Sequence, residues 1–128
     1  MIEVYNFLVG KRIIILTPKW RSFAGNLNSV SDVIDNLGFS QVRVNGKIID
    51  SDRIKDINLI SGFLYNIDIA VDRITIANDL KTMTEFVRSL QVALKNGDGT
   101  NELIFLDFDT KEEFRYHLTE DVLRKALG

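Results

Sequence analysis

The segment LYNIDIAVDRITI, residues 64–76, constrains this chain more than any other stretch. Ile67, Ile69 and Val71 share one parity, and Asp68 and Asp72 the other. That alternation is the mark of a strand with one face turned to a core. Beyond Arg73 the parity switches, because Ile74 and Ile76 are even-numbered. A period of two cannot absorb such a change without an extra residue or a sharp twist, so the spacing predicts a bulge near Asp72-Arg73.

The remaining elements follow from local patterns. Val4, Phe7 and Leu8 stand at i, i+3, i+4 and predict a short helix closed by Gly10. Arg12–Thr17 reads as a strand buried on both faces, because Ile13 to Leu16 do not alternate, and Pro18 is expected to end it. Residues 19–28 read as a loop. A helix is predicted over 29–37 from the stripe Val30, Val33, Ile34, Leu37, with Asn28 or Ser29 as cap and Gly38 past its end. Gln41–Val44 and Lys47–Ile49 flank Asn45-Gly46, the strongest short hairpin signal in the chain. Residues 50–60 read as irregular. A second long helix is predicted over 80–95, capped by Asn78 or Asp79 and stopped by Gly97. A strand is predicted over 102–108. The capping box Thr110-x-x-Glu113, with Phe114, Leu118 and Val122 after it, predicts a C-terminal helix. With the hairpin collapsed, the order is β-α-β-β-α-β. The economical fold is α+β, a two-layer ferredoxin-like sheet with two helices on one face and extra N- and C-terminal helices.

Composition removes several classes of function. The chain has 128 residues, which fits a single domain over 1–128. Apolar residues make up 45% and charged residues 27%, which excludes intrinsic disorder. There are no cysteines, so a disulfide scaffold or thiolate metal site is excluded, and the single histidine, His117, has no ligand partner at metal spacing. The longest apolar run, Ile13 to Leu16, is far short of the roughly 20 residues of a membrane span. No signal peptide is evident, and the expected location is the cytoplasm. Net charge is −2, divided unevenly: residues 11–55 carry +4 and residues 56–128 carry −5. The division either steers a charged partner or is an uneven solvated surface. It disfavours a strongly basic nucleic-acid binder.

Catalytic motifs are few. Neither G-x-x-x-x-G-K-[ST] nor G-x-G-x-x-G occurs, and Gly97-Asp98-Gly99 follows a helix instead of opening one, so it reads as a turn. Asp107 and Asp109 after an apolar strand have the pairing of haloacid-dehalogenase-type phosphotransferases, but Lys111 stands where that pattern wants Thr or Val. A strand end is the simpler reading. Trp20, Arg21 and Phe23 are either exposed interface anchors or, for the aromatics, folded back onto the core.

The segments RIIILTPKWRSFAGN (12–26), GFSQVRVNGKIID (38–50), LYNIDIAVDRITI (64–76) and SLQVALKNGDG (89–99), in this order and spacing, resemble the insertion in excinuclease ABC proteins of the UvrA family. The resemblance covers residues 10–106, and the tail 107–128 departs from it. In the loop after the first strand, Arg21 and Gly25 match the family pattern R-G-x-K-G-E, while Ala24 and Asn26 replace its Lys and Glu. The resemblance implies one inserted, non-catalytic domain of a longer damage-recognition ATPase of nucleotide excision repair, a cytoplasmic DNA-damage system tied to the SOS response. It implies the excinuclease protein UvrB as partner, DNA contact only through the full-length protein, and a monomeric segment. ATP and zinc are implied for the full-length family and no cofactor for this segment. The outward charges of the matched motifs are the expected partner-binding residues: Lys19, Arg21, Arg43, Lys47, Asp72 and Arg73. The rival reading is a stand-alone ferredoxin-like module that binds nucleic acid or a small ligand.

Overall fold

The computed structural model describes residues 2–24, 27–56 and 64–117. Its elements in chain order are α1 (Ile2–Leu8), β1 (Arg12–Phe23), α2 (Leu27–Leu37), β2 (Gln41–Val44), β3 (Lys47–Asp50), a 3-10 turn (Ser51–Asp56), β4 (Tyr65–Thr75), α3 (Leu80–Asn96), β5 (Glu102–Asp107) and β6 (Glu113–His117). The six strands form one antiparallel sheet in the order β3-β2-β4-β1-β5-β6. The class is α+β, with an open sheet and three helices among the described residues.

One face of the sheet carries the helices. Under α1 and α3, Tyr5, Leu8, Ile13, Ile15, Phe86, Leu90, Leu103 and Phe105 form one apolar cluster. Under α2 and the 3-10 turn, Leu27, Val30, Ile34, Val42, Ile54, Ile67 and Ile69 form a second. Val71 packs against both. The parity switch in β4 is a bulge. Asp72 lies opposite Ile15 and Ala70 opposite Leu16, so Val71 is the unmatched residue, one position before the predicted step. The extra residue keeps Ile67 and Ile69 on the same covered face as Ile74 and Ile76.

Several local signals act as expected. Asn45 (φ 47°) and Gly46 (φ 87°) are both left-handed, the geometry of a tight hairpin whose twist matches its strands. Asp79 caps α3, its carboxylate accepting from the Thr82 amide at 2.7 Å. Gly97 follows α3 because a Cβ there would stand 2.5 Å from the Thr17 hydroxyl oxygen.

Three expectations are corrected. First, β1 does not end at Pro18 but runs to Phe23, and residues 19–23 are strand instead of loop. Pro18 is tolerated because its carbonyl accepts from the Asp98 amide at 2.9 Å, so its polar edge faces the β5 side. There β5 pairs only as far as Leu16, and no ladder bond requires the missing N–H. Second, α2 begins at Leu27, so Asn28 and Ser29 lie inside its first turn and neither is the cap. Third, the helix expected from Thr110 is absent over residues 110–117. The Thr110 hydroxyl accepts from the Glu112 amide at 3.2 Å inside a turn, and β6 follows. Phe114 and Tyr116, two residues apart, pack on the helix-covered core, the period of a strand. Residues 118–128, into which that expected helix extends, and residues 57–60 of the irregular stretch lie outside the described residues.

Candidate protein-interaction face

The second face of the sheet has no helix over it among the described residues. Its apolar centre is small, consisting of Ile14, Leu16 and Ile104, with Ile48, Ala70 and Leu106 around them. Yet Ile14, Leu16 and Ile104 are buried. What shields them is a chain of alternating charges. Arg21 donates to Asp68 (3.0 Å), Asp68 also accepts from Arg43 (2.9 Å), and Arg43 donates to Glu113. Glu113 in turn accepts from Arg115 (3.3 Å), and Arg115 donates to Glu102 (2.7 Å). The Glu102 hydrogen bond, first among the causes, raises the Arg115 pKa above the usual guanidinium value.

These six residues come from β1, β4, β2, β6 and β5. β2 and β6 are separated by three strands. On a flat sheet that is about 19 Å, beyond the reach of an arginine and a glutamate lying toward each other. The Arg43–Glu113 contact therefore needs a sheet that curls around this face, as strongly twisted antiparallel sheets do. Curling brings the ion pairs over the small apolar centre and dries it.

The structure distributes the sequence-derived candidates unevenly. Arg43 does not stand outward. It is 4% exposed, held between Asp68 and Glu113. Arg21 is partly exposed and bound to Asp68. Lys19 reaches the Gly97 carbonyl at 3.5 Å, and Lys47 is exposed beside the β2–β3 turn. Asp72, carried by the bulge, accepts from the Ser89 hydroxyl of α3 at 2.7 Å. Arg73 is exposed, and its guanidinium donates twice to the Gln41 amide oxygen, at 3.2 and 2.7 Å. Among the described residues it has no carboxylate within ion-pair distance. Trp20 and Phe23 fold back, their rings 6.0 Å apart against the α2 cluster.

Sequence reasoning missed β6 and the turn before it. Asp107 is buried, and its carboxylate accepts from the amides of Asp109 (2.9 Å) and Thr110 (3.2 Å). Burial pushes its pKa up, and those amides with nearby Lys11 more than offset it, so the group sits below the usual carboxylate range. Asp109 is held low chiefly by its hydrogen bond from Arg12. Both aspartates are thus engaged in structure. Exposed His117 has the Thr100 carbonyl near it, at 3.4 Å. Among the described residues no group of His, Asp or Glu is placed to hold a metal ion, and no helix is long and apolar enough to cross a membrane.

Known proteins resemble this sequence. A family model described as the UvrA interaction domain matches residues 1–107. A UvrABC system protein A from Methanothermobacter thermautotrophicus is 34% identical over 91 residues, which is 71% of this chain and 9% of that protein. Its counterpart from Pseudomonas putida is 30% identical over 104 residues, 81% of this chain and 11% of that protein. One from Neisseria meningitidis is 26% identical over 102 residues, 80% of this chain and 10% of that protein. The chain thus spans about a tenth of the length of these relatives.

Proposed function

The chain belongs to the UvrA interaction domain family, and from that premise we propose that it is the non-catalytic segment that docks a damage-recognition UvrA protein onto the excinuclease protein UvrB. The observation that carries the reading is the match over residues 1–107 to a family described by interaction. The geometry agrees with it, because the charged second face is open on the side where no described helix packs. In this reading ATP, zinc and DNA belong to parts of the longer protein outside this chain, and the complex works in the cytoplasm. We also read the strands β2-β4-β1-β5 as the ferredoxin-like core of the sheet, widened by β3 and β6.

Docking is electrostatic here. Of the expected docking residues, Lys47 and Arg73 are exposed cations with no carboxylate within ion-pair distance among the described residues. Arg73 shares the second face with Arg21, Lys47 lies opposite Val44 at the β2–β3 turn, and Lys19 stands on β1. Arg43 and Asp72 act by position: one locks the curl of the sheet, the other ties the bulge to α3. Exposed charges gain specificity and association rate more than affinity. The test is a titration of UvrB against the native chain and the double reversal Lys47→Glu/Arg73→Glu at two salt concentrations, with circular dichroism as folding control. The reading expects weaker binding in the reversal and in high salt. A folded double reversal with unchanged, salt-independent affinity overturns it.

A further inference from the structure

Phe108, just past the end of β5, gathers three cations around one ring. The Lys111 ammonium lies 4.3 Å from the ring centroid, the Arg12 guanidinium 4.8 Å and the Arg73 guanidinium 5.8 Å. These come from three segments of the chain, and Phe108 is 38% exposed. A ring face attracts cations through its quadrupole and so holds together charges that otherwise repel.

The backbone places one of them at a cost. Lys111 has φ +66°, a left-handed conformation in a hairpin turn where glycine or asparagine is favoured. The turn is over-determined: the Asp107 carboxylate takes two amides, and the Asp107 carbonyl accepts from the Lys111 amide at 2.8 Å. Strain kept in a rigid turn points to a role for the side chain it presents. Only one of the three cations makes an ion pair among the described residues, although the Asp109 carboxylate also feels the Lys111 charge. Arg12 makes a two-pronged pair with Asp109. Arg73 has a neutral amide oxygen, and Lys111 has no carboxylate within ion-pair distance among the described residues. Beside them lies a hollow of about 170 Å³ lined by Arg12, Ile14, Arg73, Ile74 and Phe108.

We infer that this ledge is an anchor point of the docking face, where Arg73 and Lys111 over Phe108 take the carboxylate of an aspartate or glutamate on UvrB. The inference rests on the docking reading above and adds Phe108 and Lys111 to it. Asp109 already shows the chemistry in cis, a carboxylate forked on Arg12 at the rim of the same ring. A single carboxylate on a loop fits better than a nucleic-acid backbone. Asp109 and Glu112 lie within two residues of Lys111, and the neighbouring hollow mixes Asp72 and Glu85 with Arg73 and Arg88. Acids interspersed in this way disfavour a polyanion that carries a charge at every nucleotide.

The experiment measures UvrB affinity by calorimetry for the native chain, Lys111→Gly and Phe108→Ala, with thermal melts of each. Glycine suits φ +66°, so Lys111→Gly is expected to keep or raise the melting temperature while weakening binding by about three- to tenfold, the scale of one lost cation–π or exposed ionic contact. Phe108→Ala is expected to weaken binding at least as much. If it fails to fold, Lys111→Gly carries the test alone. A tetraglutamate peptide, followed by NMR, should shift the Arg73 Nε–H and Phe108 ring resonances, and a 12-base-pair DNA duplex should not. Native affinity retained in Lys111→Gly overturns the anchor and leaves docking standing. No binding by the native chain overturns both. Shifts with duplex and none with peptide overturn the anchor in favour of a nucleic-acid contact.

Discussion

The two faces of this sheet are dried by different physics. On the helix-covered face the seal is apolar and aromatic. Tyr5 meets Phe86 at 5.5 Å between centroids, Phe86 meets Phe105 at 5.5 Å, and Phe105 meets Tyr116 at 5.5 Å. On the other face three buried aliphatic residues are sealed by a chain of six alternating charges. Apolar burial is non-directional and scales with area. An ion-pair chain is directional, and each member leaves a partner stranded when removed. The covered face should therefore dominate stability. The charged face sets sheet curvature and keeps its outer side wet and polar, as a docking surface needs.

The largest effect is expected where the comparison is broken on the apolar side. Phe86 is buried between Tyr5 and Phe105. Phe86→Ala should cost about 3–5 kcal/mol through lost burial and the cavity left behind. Urea unfolding of the two proteins measures it, and a loss under about 1 kcal/mol would mean that α3 contributes far less than its packing implies.

The next effect tests the charged side. Arg43→Ala strands Asp68 and Glu113, and Asp68→Ala strands Arg21 and Arg43. Each single change should cost about 2–4 kcal/mol, toward the lower side of a broken buried pair because further partners remain. The double replacement Arg43→Met/Asp68→Leu should cost less than the two singles together, since it removes both charges and restores apolar volume. Additive losses in a double-mutant cycle would show that the pair acts through two independent contacts.

The difference between the faces also explains what the sequence disclosed. Helix stripes and strand alternation report apolar burial, so α2, α3, β2, β3, β4 and β5 lie close to their predicted positions. The bulge was legible because an apolar residue changed parity. The charged face left no such trace. Arg43 alternates with Val42 and Val44 as a solvated residue does, and its partner Glu113 lies 70 positions away. Thr110-x-x-Glu113 has the spacing of a capping box, but the Asp107 carboxylate claims the turn amides first. Pro18 reads as a strand end because the pattern does not show which side of a strand lacks a neighbour. The expected docking residues rest on charge within the motifs that carry the resemblance. Charge does not separate Arg43, which holds the sheet, from Arg73, which holds a glutamine.

The smallest effect distinguishes the faces by acid. Asp79, on the covered face, is held below the usual carboxylate range first by the Thr82 amide. Asp107, at the turn that carries Glu113 into the charged chain, also lies below that range, through its turn amides. A depressed folded pKa contributes stability that is present above the unfolded value and is lost as pH falls through the folded one. Both contributions should therefore be intact at neutral pH and decline below about pH 4, near the ordinary aspartate value. Their consequences differ. Protonating Asp79 frays one turn of a helix that Phe86, Leu90 and Ala93 still anchor in the core. Protonating Asp107 loosens the β5–β6 turn, and with it the described strand that supplies Glu113 and Arg115 to the second face. Hydrogen exchange at stepwise lower pH should therefore show β6 amides losing protection before α3 amides beyond the first turn. Asp107→Asn, which keeps one amide acceptor but cannot be protonated in this range, should narrow that gap. Simultaneous loss in β6 and α3, unchanged by Asp107→Asn, would mean that the two faces unfold as one unit and that the charged chain has no separate acid response.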